Sequence, residues 1–226
     1  MTVRTVLEVS AKRSFASALD WPGWSRSGRS PEEARDNLFG YAERYATVAR
    51  RAGMSLAMPS SVDQLEIVER LAGNKTTEFG APSAIAAAEE ELPDPDALAS
   101  LIALLEAAWA TFDAATRSAE GVALATGPRG GGRTLDAMRS HVRDAEAAYL
   151  SRLGSRAPSS ADEDPDRPMR LLRERFVEVV NAVASGEPLA EPSRTRTHWP
   201  VRYAIRRAAW HVLDHAWELQ DRAAGA

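Results

Sequence analysis

The chain of 226 residues contains no cysteine and only four histidines, His141, His198, His211 and His215. Without cysteine, disulfides, iron–sulfur ligation and thiolate nucleophiles are excluded within this chain, and thiol chemistry requires a thiol from a substrate. A strong charge of one sign is also lacking, since the net charge is −4 and the pI is near 5.7. A chain with this charge balance lacks the excess of positive charge that is typical of proteins that bind nucleic acid or an anionic membrane.

Targeting signals and long apolar runs are missing as well. The segment Met1-Thr2-Val3-Arg4 has no signal-peptide pattern, and no apolar run is expected to reach the length of a membrane span. We therefore expect a cytoplasmic protein without membrane or nucleic-acid partners. With 44% hydrophobic residues, the chain is long enough to bury a core in one or two domains.

The N-terminal part of the sequence predicts two strands and a helix. Apolar residues alternate with polar ones over residues 3–9 and again over 15–19, which is typical of strands, and residues 20–24 indicate a turn or loop. Ser30-Pro31-Glu32-Glu33 then predicts a helix start, because serine caps, proline suits the first position and glutamate completes a capping box. The helix is expected to reach about Arg51.

This stretch resembles the HicB-type antitoxin fold. Members of that family share a strand, a turn of the kind in Trp21-Pro22-Gly23, and a Ser-Pro-Glu-Glu-Ala helix start, here Ser30 to Ala34. The resemblance covers about the first quarter of the chain and implies a small strand–strand–helix α/β module. We expect this module to dock on the rest of the chain or to mediate formation of a homodimer.

The next segment leads to a predicted domain boundary. Residues 65–68 predict another strand, and residues 81–92 predict a short helix or a linker. Pro93-Asp94-Pro95-Asp96 marks the boundary and starts a helix. The sequence therefore divides into residues 1–92, the HicB-like module with its connecting segment, and residues 93–226.

Apolar residues repeat at helical spacing in four segments of the second part. The segments cover about residues 95–117, 134–153, 167–184 and 200–222. Each apolar stripe needs a partner surface, so the four together predict a four-helix bundle and a fold class of α+β, mainly α. On the last helix, Tyr203, Trp210 and Trp217 recur every seven residues, and we expect them to pack against the N-terminal module or a second subunit.

The last helix also presents a pair of potential metal ligands. His211 and His215 are four residues apart, so both imidazoles lie on one face, about one turn apart. A metal site open to chemistry usually has three protein ligands. His141 adjoins the apolar stripe of the second helix, whereas His198 precedes the last helix and is expected at the surface. Three neutral imidazoles favour zinc, although nickel, cobalt or iron(II) also accept them.

Carboxylates near these histidines are candidates for supporting roles, because carboxylates usually orient ligating imidazoles. Asp144, Asp214 and Glu218 lie within one turn of a ligand, and Asp214 and Glu218 are the candidate catalytic residues. Each is equally compatible with a charged helix surface. No carboxylate or tyrosine is unambiguously placed as a general base, so the sequence supports metal binding better than turnover.

The two histidine-bearing helices resemble the DinB/YfiT superfamily, through residues 141–146 and 209–215. Its members are four-helix bundles that hold a metal with one histidine of the second helix and a His-x-x-x-His pair of a later helix. The resemblance covers about residues 94–222 and implies that His141, His211 and His215 are the ligands. It also implies a divalent transition metal, zinc or nickel, and a low-molecular-weight thiol cosubstrate such as mycothiol or bacillithiol.

Two functions follow from these expectations. The first is a metal-dependent transferase or hydrolase that acts on a small molecule and ionises a bound thiol or water. The second is a non-catalytic metal- or ligand-binding protein, or a regulator, whose HicB-like module contacts a partner. The glycine-rich residues 128–133 indicate a flexible connection more than a phosphate site, with Arg129 and Arg133 as contacts for an anionic substrate.

Overall fold

The computed structural model describes residues 2–127, 132–159, 166–195 and 197–225. Over these residues the chain is an α+β fold with a four-stranded mixed sheet and a larger helical part. The strands are β1 (Val3–Val9), β2 (Ser14–Ala18), β3 (Ser25–Gly28) and β4 (Leu65–Ala72). The helices are α1 (Pro31–Gly40), α2 (Ala42–Arg51), α3 (Lys75–Phe79), α4 (Ala87–Glu90), α5 (Pro95–Ser118), α6 (Leu135–Arg152), α7 (Arg167–Ser185) and α8 (Val201–Ala224).

The sheet has the strand order β3-β2-β1-β4 and is covered on both faces along β2. β1 pairs with β2 in antiparallel fashion and with β4 in parallel fashion, and α1 and α2 lie in the connection between β3 and β4. α1 packs on β2 and β3. Phe15 of β2 meets Trp210 of α8 edge to face, with ring centroids 5.9 Å apart. All five residues of β2 are therefore buried, and the module docks on the last helix.

Two local features of the module differ from the expectation. β3 is an additional strand, which the alternation rule misses because Ser-Arg-Ser-Gly is polar throughout. The helix expected from residue 31 to about residue 51 is interrupted at Tyr41, whose backbone leaves the helical geometry between α1 and α2. Gly28 allows β3 to approach α1, since a Cβ there would lie 2.3 Å from the backbone nitrogen of Ala34.

The four long helices form where the apolar periodicity predicts them, with every boundary within two residues. α5 packs along α8, α6 packs against α7 and α8, and α2 packs against α5. The strand predicted at residues 65–68 is the start of β4, and the segment 81–92 contains the short helix α4. One hydrophobic core joins the sheet to the helices; the division at residue 92 stays a prediction.

Helix α8 occupies the centre of the molecule, and 17 of its 24 residues are buried. The prediction that its aromatic residues face the N-terminal part is confirmed. The Tyr203 hydroxyl donates to the Ser83 carbonyl at 3.2 Å, and the Trp217 ring lies 5.1 Å from the Tyr41 ring. A helix buried on most of its circumference leaves few positions for polar groups, so each buried polar residue on α8 needs an explanation.

Helix α5 is long and apolar enough to cross a membrane by length and composition, with a mean hydropathy of 1.4 over 18 residues. The expectation that no run reaches this length is therefore wrong. In the fold, 44% of that window is buried, and Leu104, Leu105 and Phe112 belong to the core. A core helix satisfies the same criteria of length and composition as a membrane span.

Candidate metal centre

Helices α6 and α8 bring three of the four histidines together. Thr134 caps α6 by accepting a hydrogen bond from the Ala137 backbone at 3.3 Å, and Met138 and Val142 anchor its inner face in the core. His141 lies between these two anchors and is only partly buried. His211 and His215 are each 7% exposed, because α8 is buried around them.

The imidazoles of His141, His211 and His215 form a compact cluster. One potential ligand atom from each ring lies within 4.8 Å of the others. The Nε2 atoms of His141 and His211 are 3.1 Å apart, and the three pairs of ring centroids are separated by 4.7 to 5.1 Å. Two nitrogens bound to one tetrahedral zinc ion are about 3.3 Å apart. The cluster thus has the donor chemistry for a three-histidine metal site, and its His141–His211 nitrogen pair is close to the separation of two ligands on one ion.

Glu218 supports one of the three rings. Its Oε2 atom lies 3.2 Å from Nδ1 of His215, which leaves Nε2 of that ring for the cluster. Its Oε1 atom accepts a hydrogen bond from Arg222 at 3.3 Å. Arg222 also donates to the carbonyls of Ala125 and Arg133, at 2.8 and 3.0 Å. Glu218 is therefore held between a histidine and an arginine, as expected for a carboxylate that orients a metal ligand.

The electrostatic surroundings keep two of the rings neutral. Burial lowers the pKa of His211 well below its usual value, and the neighbouring His215 and Arg207 lower it further. Burial also lowers the pKa of His141, assisted by the charge of Arg133. A neutral imidazole is the form that binds a metal, so these shifts favour ligation. The hydrogen bond with His215 lowers the pKa of Glu218 and keeps it ionised.

His211 differs from His215 in that no described residue orients its ring through a hydrogen bond to Nδ1. Its buried Nδ1 atom forms no hydrogen bond with any described residue, whereas metal-bound histidines usually donate their second N–H to a carboxylate or carbonyl. The ring is held by aromatic packing instead. Its centroid lies 5.8 Å from that of Tyr149 and 6.1 Å from that of Trp210.

The other sequence-predicted residues lie away from the cluster. Asp214 accepts a hydrogen bond from Arg26 of β3 at 3.0 Å, so its carboxylate is directed to the sheet. Asp144 is largely exposed beside Arg143. His198 is exposed, as expected, and contacts the Thr195 carbonyl at 2.9 Å. Arg129 lies outside the described residues.

Sequence reasoning did not single out Arg207, Tyr149 or Arg222. For the two arginines a signal is present, because Arg207 precedes His211 by four residues and Arg222 follows Glu218 by four. Tyr149 lies eight residues after His141 on the same face of α6, but no local spacing indicates its contact with His211 of α8. Its position beside His211 depends on the packing of α6 against α8.

Comparisons with protein-family models, with curated proteins and with solved structures find no match for this chain. The resemblances to the HicB-type and DinB/YfiT families therefore stay predictions from the sequence. The geometry of the histidine cluster is independent of both.

Proposed function

We propose that His141, His211 and His215 hold one divalent transition metal, zinc or nickel, and that the protein is a metal-dependent transferase or hydrolase for a small molecule. The main support is the convergence of three ligand atoms within 4.8 Å inside a structure with no cysteine to serve as ligand. A helical bundle with ligands on facing helices is also a common architecture for metal sites. The DinB-like arrangement of the ligands fits this proposal.

The residues around the cluster have separable roles in this proposal. His211 and His141 present neutral imidazoles, because burial lowers their pKa values. Glu218 fixes the tautomer of His215 and is itself held by Arg222. When bound there, a divalent metal supplies Lewis acidity toward water or a thiol. The resemblance to the DinB/YfiT superfamily suggests a low-molecular-weight thiol as the cosubstrate, and the chain has no cysteine that could supply a thiol itself.

The first test is metal analysis of the purified, zinc-loaded protein beside a His211→Ala, His215→Ala double variant. We expect about one zinc ion per wild-type chain and none in the double variant, because a single remaining imidazole cannot hold zinc at a mononuclear site. His198→Ala is the matched control, since His198 is exposed and lies outside the cluster; it should keep full zinc content. Equal zinc content in the wild type and the double variant would contradict the proposal.

A second candidate is a non-catalytic metal- or ligand-binding protein or regulator. It is favoured by one observation: both carboxylate oxygens of Glu218 are engaged, and no other carboxylate of the described residues forms a hydrogen bond with the cluster. A free general base is therefore lacking among these groups.

Zinc-loaded full-length protein should be screened with thiols paired with electrophiles and with hydrolase substrates. Zinc-dependent turnover supports the enzyme, and a fully metallated sample without turnover supports the second candidate.

A further inference from the structure

Arg207 lies one helical turn before His211 on the same face of α8 and has no partner of opposite charge among the described residues. The residue is 8% exposed. Its guanidinium lies 4.6 Å from the Trp210 ring centroid and 5.4 Å from that of Tyr149. Its buried Nη1 atom forms no hydrogen bond, and no ion pair joins Arg207 to any residue that the structure describes.

The other two buried arginines of α8 are satisfied by the chain. Arg206 forms an ion pair with Glu89 at 2.5 Å and donates to the Ala84 carbonyl at 2.9 Å. Arg222 binds Glu218 and two backbone carbonyls. This fold therefore provides acceptors for buried guanidinium groups where they are structural, and Arg207 is the exception on this helix.

An unpartnered buried guanidinium is costly, because arginine does not lose its proton in proteins and a buried charge without a partner loses its hydration. The faces of Trp210 and Tyr149 offset part of this cost by cation–π attraction, but they accept no N–H hydrogen bond in the guanidinium plane. The carboxylate of Glu218, which supports the histidine cluster, is already engaged by His215 and Arg222. The buried Nη1 donor of Arg207 thus lacks an acceptor among the described residues, and a bound anion would provide one.

We propose that Arg207 binds the carboxylate of a ligand whose other end lies at the histidine cluster, so that the substrate or cosubstrate of this site is a small carboxylate. The inference rests on the proposed metal centre. A guanidinium fork matches a carboxylate with two parallel hydrogen bonds, which a hydroxyl or a neutral amide cannot reproduce. The backbones of Arg207 and His211 are about 6 Å apart along the helix axis, and both side chains contact the Tyr149 ring, so we infer that one small ligand can reach both groups.

Tyr149 and Trp210 complete the proposed subsite. Tyr149 contacts both the Arg207 guanidinium and the His211 ring, so it lies beside the path from one group to the other. Trp199 packs on Tyr149 at 5.3 Å between ring centroids. These aromatic walls limit access of water, and a charge-assisted hydrogen bond is stronger in such surroundings than in open solvent.

The test compares two thiols of equal length, 3-mercaptopropionate and 3-mercaptopropionamide, by calorimetric titration of the zinc-loaded full-length protein. The wild type should bind the carboxylate at least about tenfold more tightly than the amide. Arg207→Met keeps an apolar stem between the aromatic rings but removes the charge, and it should abolish the preference. Arg202→Met removes one charge from the same helix at a site bonded to the Glu91 carbonyl, and it should keep the preference.

Thermal unfolding of the zinc-loaded variants shows whether the substitution disturbs the fold. Because no described residue pairs with the charge of Arg207 or accepts a hydrogen bond from its buried Nη1, the unfolding midpoint of Arg207→Met should equal or exceed that of the wild type. One zinc per chain without a carboxylate preference, or a preference kept by Arg207→Met, would overturn the proposal and leave the metal centre intact. Failure to bind zinc would overturn the metal centre and the carboxylate site together.

Discussion

Two polar clusters lie within the helical part of the molecule, and they differ in how their groups are satisfied. Between α5, α6 and α7, Arg173 binds both carboxylate oxygens of Asp113 at 2.9 Å and lies 3.4 Å from Glu146. Between α6 and α8, three imidazoles face one another with Glu218 as the only carboxylate that contacts them among the described residues. The first cluster is an ion-pair network of opposite charges, in which Arg173 Nη2 and Glu146 Oε1 form no hydrogen bond with any described residue, whereas the second offers three imidazole nitrogens that can bind a metal.

The two clusters also differ in their relation to the cleft between the helices. A cleft of about 1130 Å³ lies at the ion-pair cluster and is lined by Trp109, Asp113 and Arg173, among others. The histidine cluster does not line it. The charges of the ion-pair cluster compensate one another, whereas three converging imidazoles are suited to bind a metal, so the histidine cluster is the stronger candidate metal site.

The largest stability effect should come from breaking the ion-pair network with Arg173→Ala. This change leaves Glu146, whose side chain is 1% exposed, without its cation, and we expect a loss of about 3 kcal/mol in the free energy of unfolding. Urea unfolding measures the loss, and zinc content should stay at the wild-type level. Arg175→Ala is the control on the same helix, because its pair with the largely exposed Glu178 should contribute less than about 1 kcal/mol. Equal losses in both variants would show that the network has no special role.

Glu218→Gln should weaken zinc binding without changing the stoichiometry at saturation. A glutamine removes the negative charge beside His215, and loss of such a support typically costs 10- to 100-fold in metal affinity, or about 1.4 to 2.7 kcal/mol. Competition with a chelator of known affinity measures the change. Asp221→Asn removes an equal charge from the same helix, at an exposed pair with Arg44, and should leave the affinity unchanged. The same affinity in Glu218→Gln and the wild type would exclude a supporting role.

Glu146→Gln should reduce the pH dependence of the free energy of unfolding. Burial raises the pKa of Glu146, against the lowering effect of Arg173, so the folded protein binds this proton more tightly than the unfolded chain. The free energy of unfolding therefore falls as the pH rises from the ordinary glutamate range through the raised pKa, and glutamine lacks this component. Urea unfolding between about pH 4 and 7 compares the two slopes. Identical slopes would contradict the assignment.

Asp214→Asn should have the smallest effect, below about 1 kcal/mol in the free energy of unfolding. Its ion pair with Arg26 is partly exposed and is directed to the sheet. Zinc affinity should match that of the wild type. A loss of zinc affinity as large as that of Glu218→Gln would show that Asp214, rather than its neighbour one turn later, supports the ligands.

The parts of the fold that the sequence predicts are those with strong local periodicity. The long helices and β1 follow from regular apolar spacing, and the pairing of His211 with His215 follows from one helical turn. The choice between Asp214 and Glu218 does not follow, because both lie near a ligand along the helix. Arg26 binds Asp214 and directs its carboxylate away from the histidines. Arg26 lies on β3, and the alternation of apolar and polar residues does not predict this strand because its sequence is polar throughout.

The difference between Arg207 and Arg206 also cannot be predicted from neighbouring residues in the sequence. Arg206 and Arg207 are adjacent arginines, yet only Arg206 meets a carboxylate, contributed by Glu89 from a distant segment. Whether a buried charge is paired is a property of tertiary packing rather than of residue type. The structure is therefore needed to separate a structural arginine from one with unused donors.

The most direct measurement of the central claim is X-ray absorption at the zinc edge of the reconstituted protein, beside His141→Ala. Three imidazole nitrogens at about 2.0 to 2.1 Å are expected for the wild type, and two for the variant. His141 is the informative residue, because it is the one proposed ligand from α6 and joins two separate helices at the site. A wild-type spectrum with fewer than three imidazoles, or one that His141→Ala leaves unchanged, would contradict a three-histidine centre between α6 and α8.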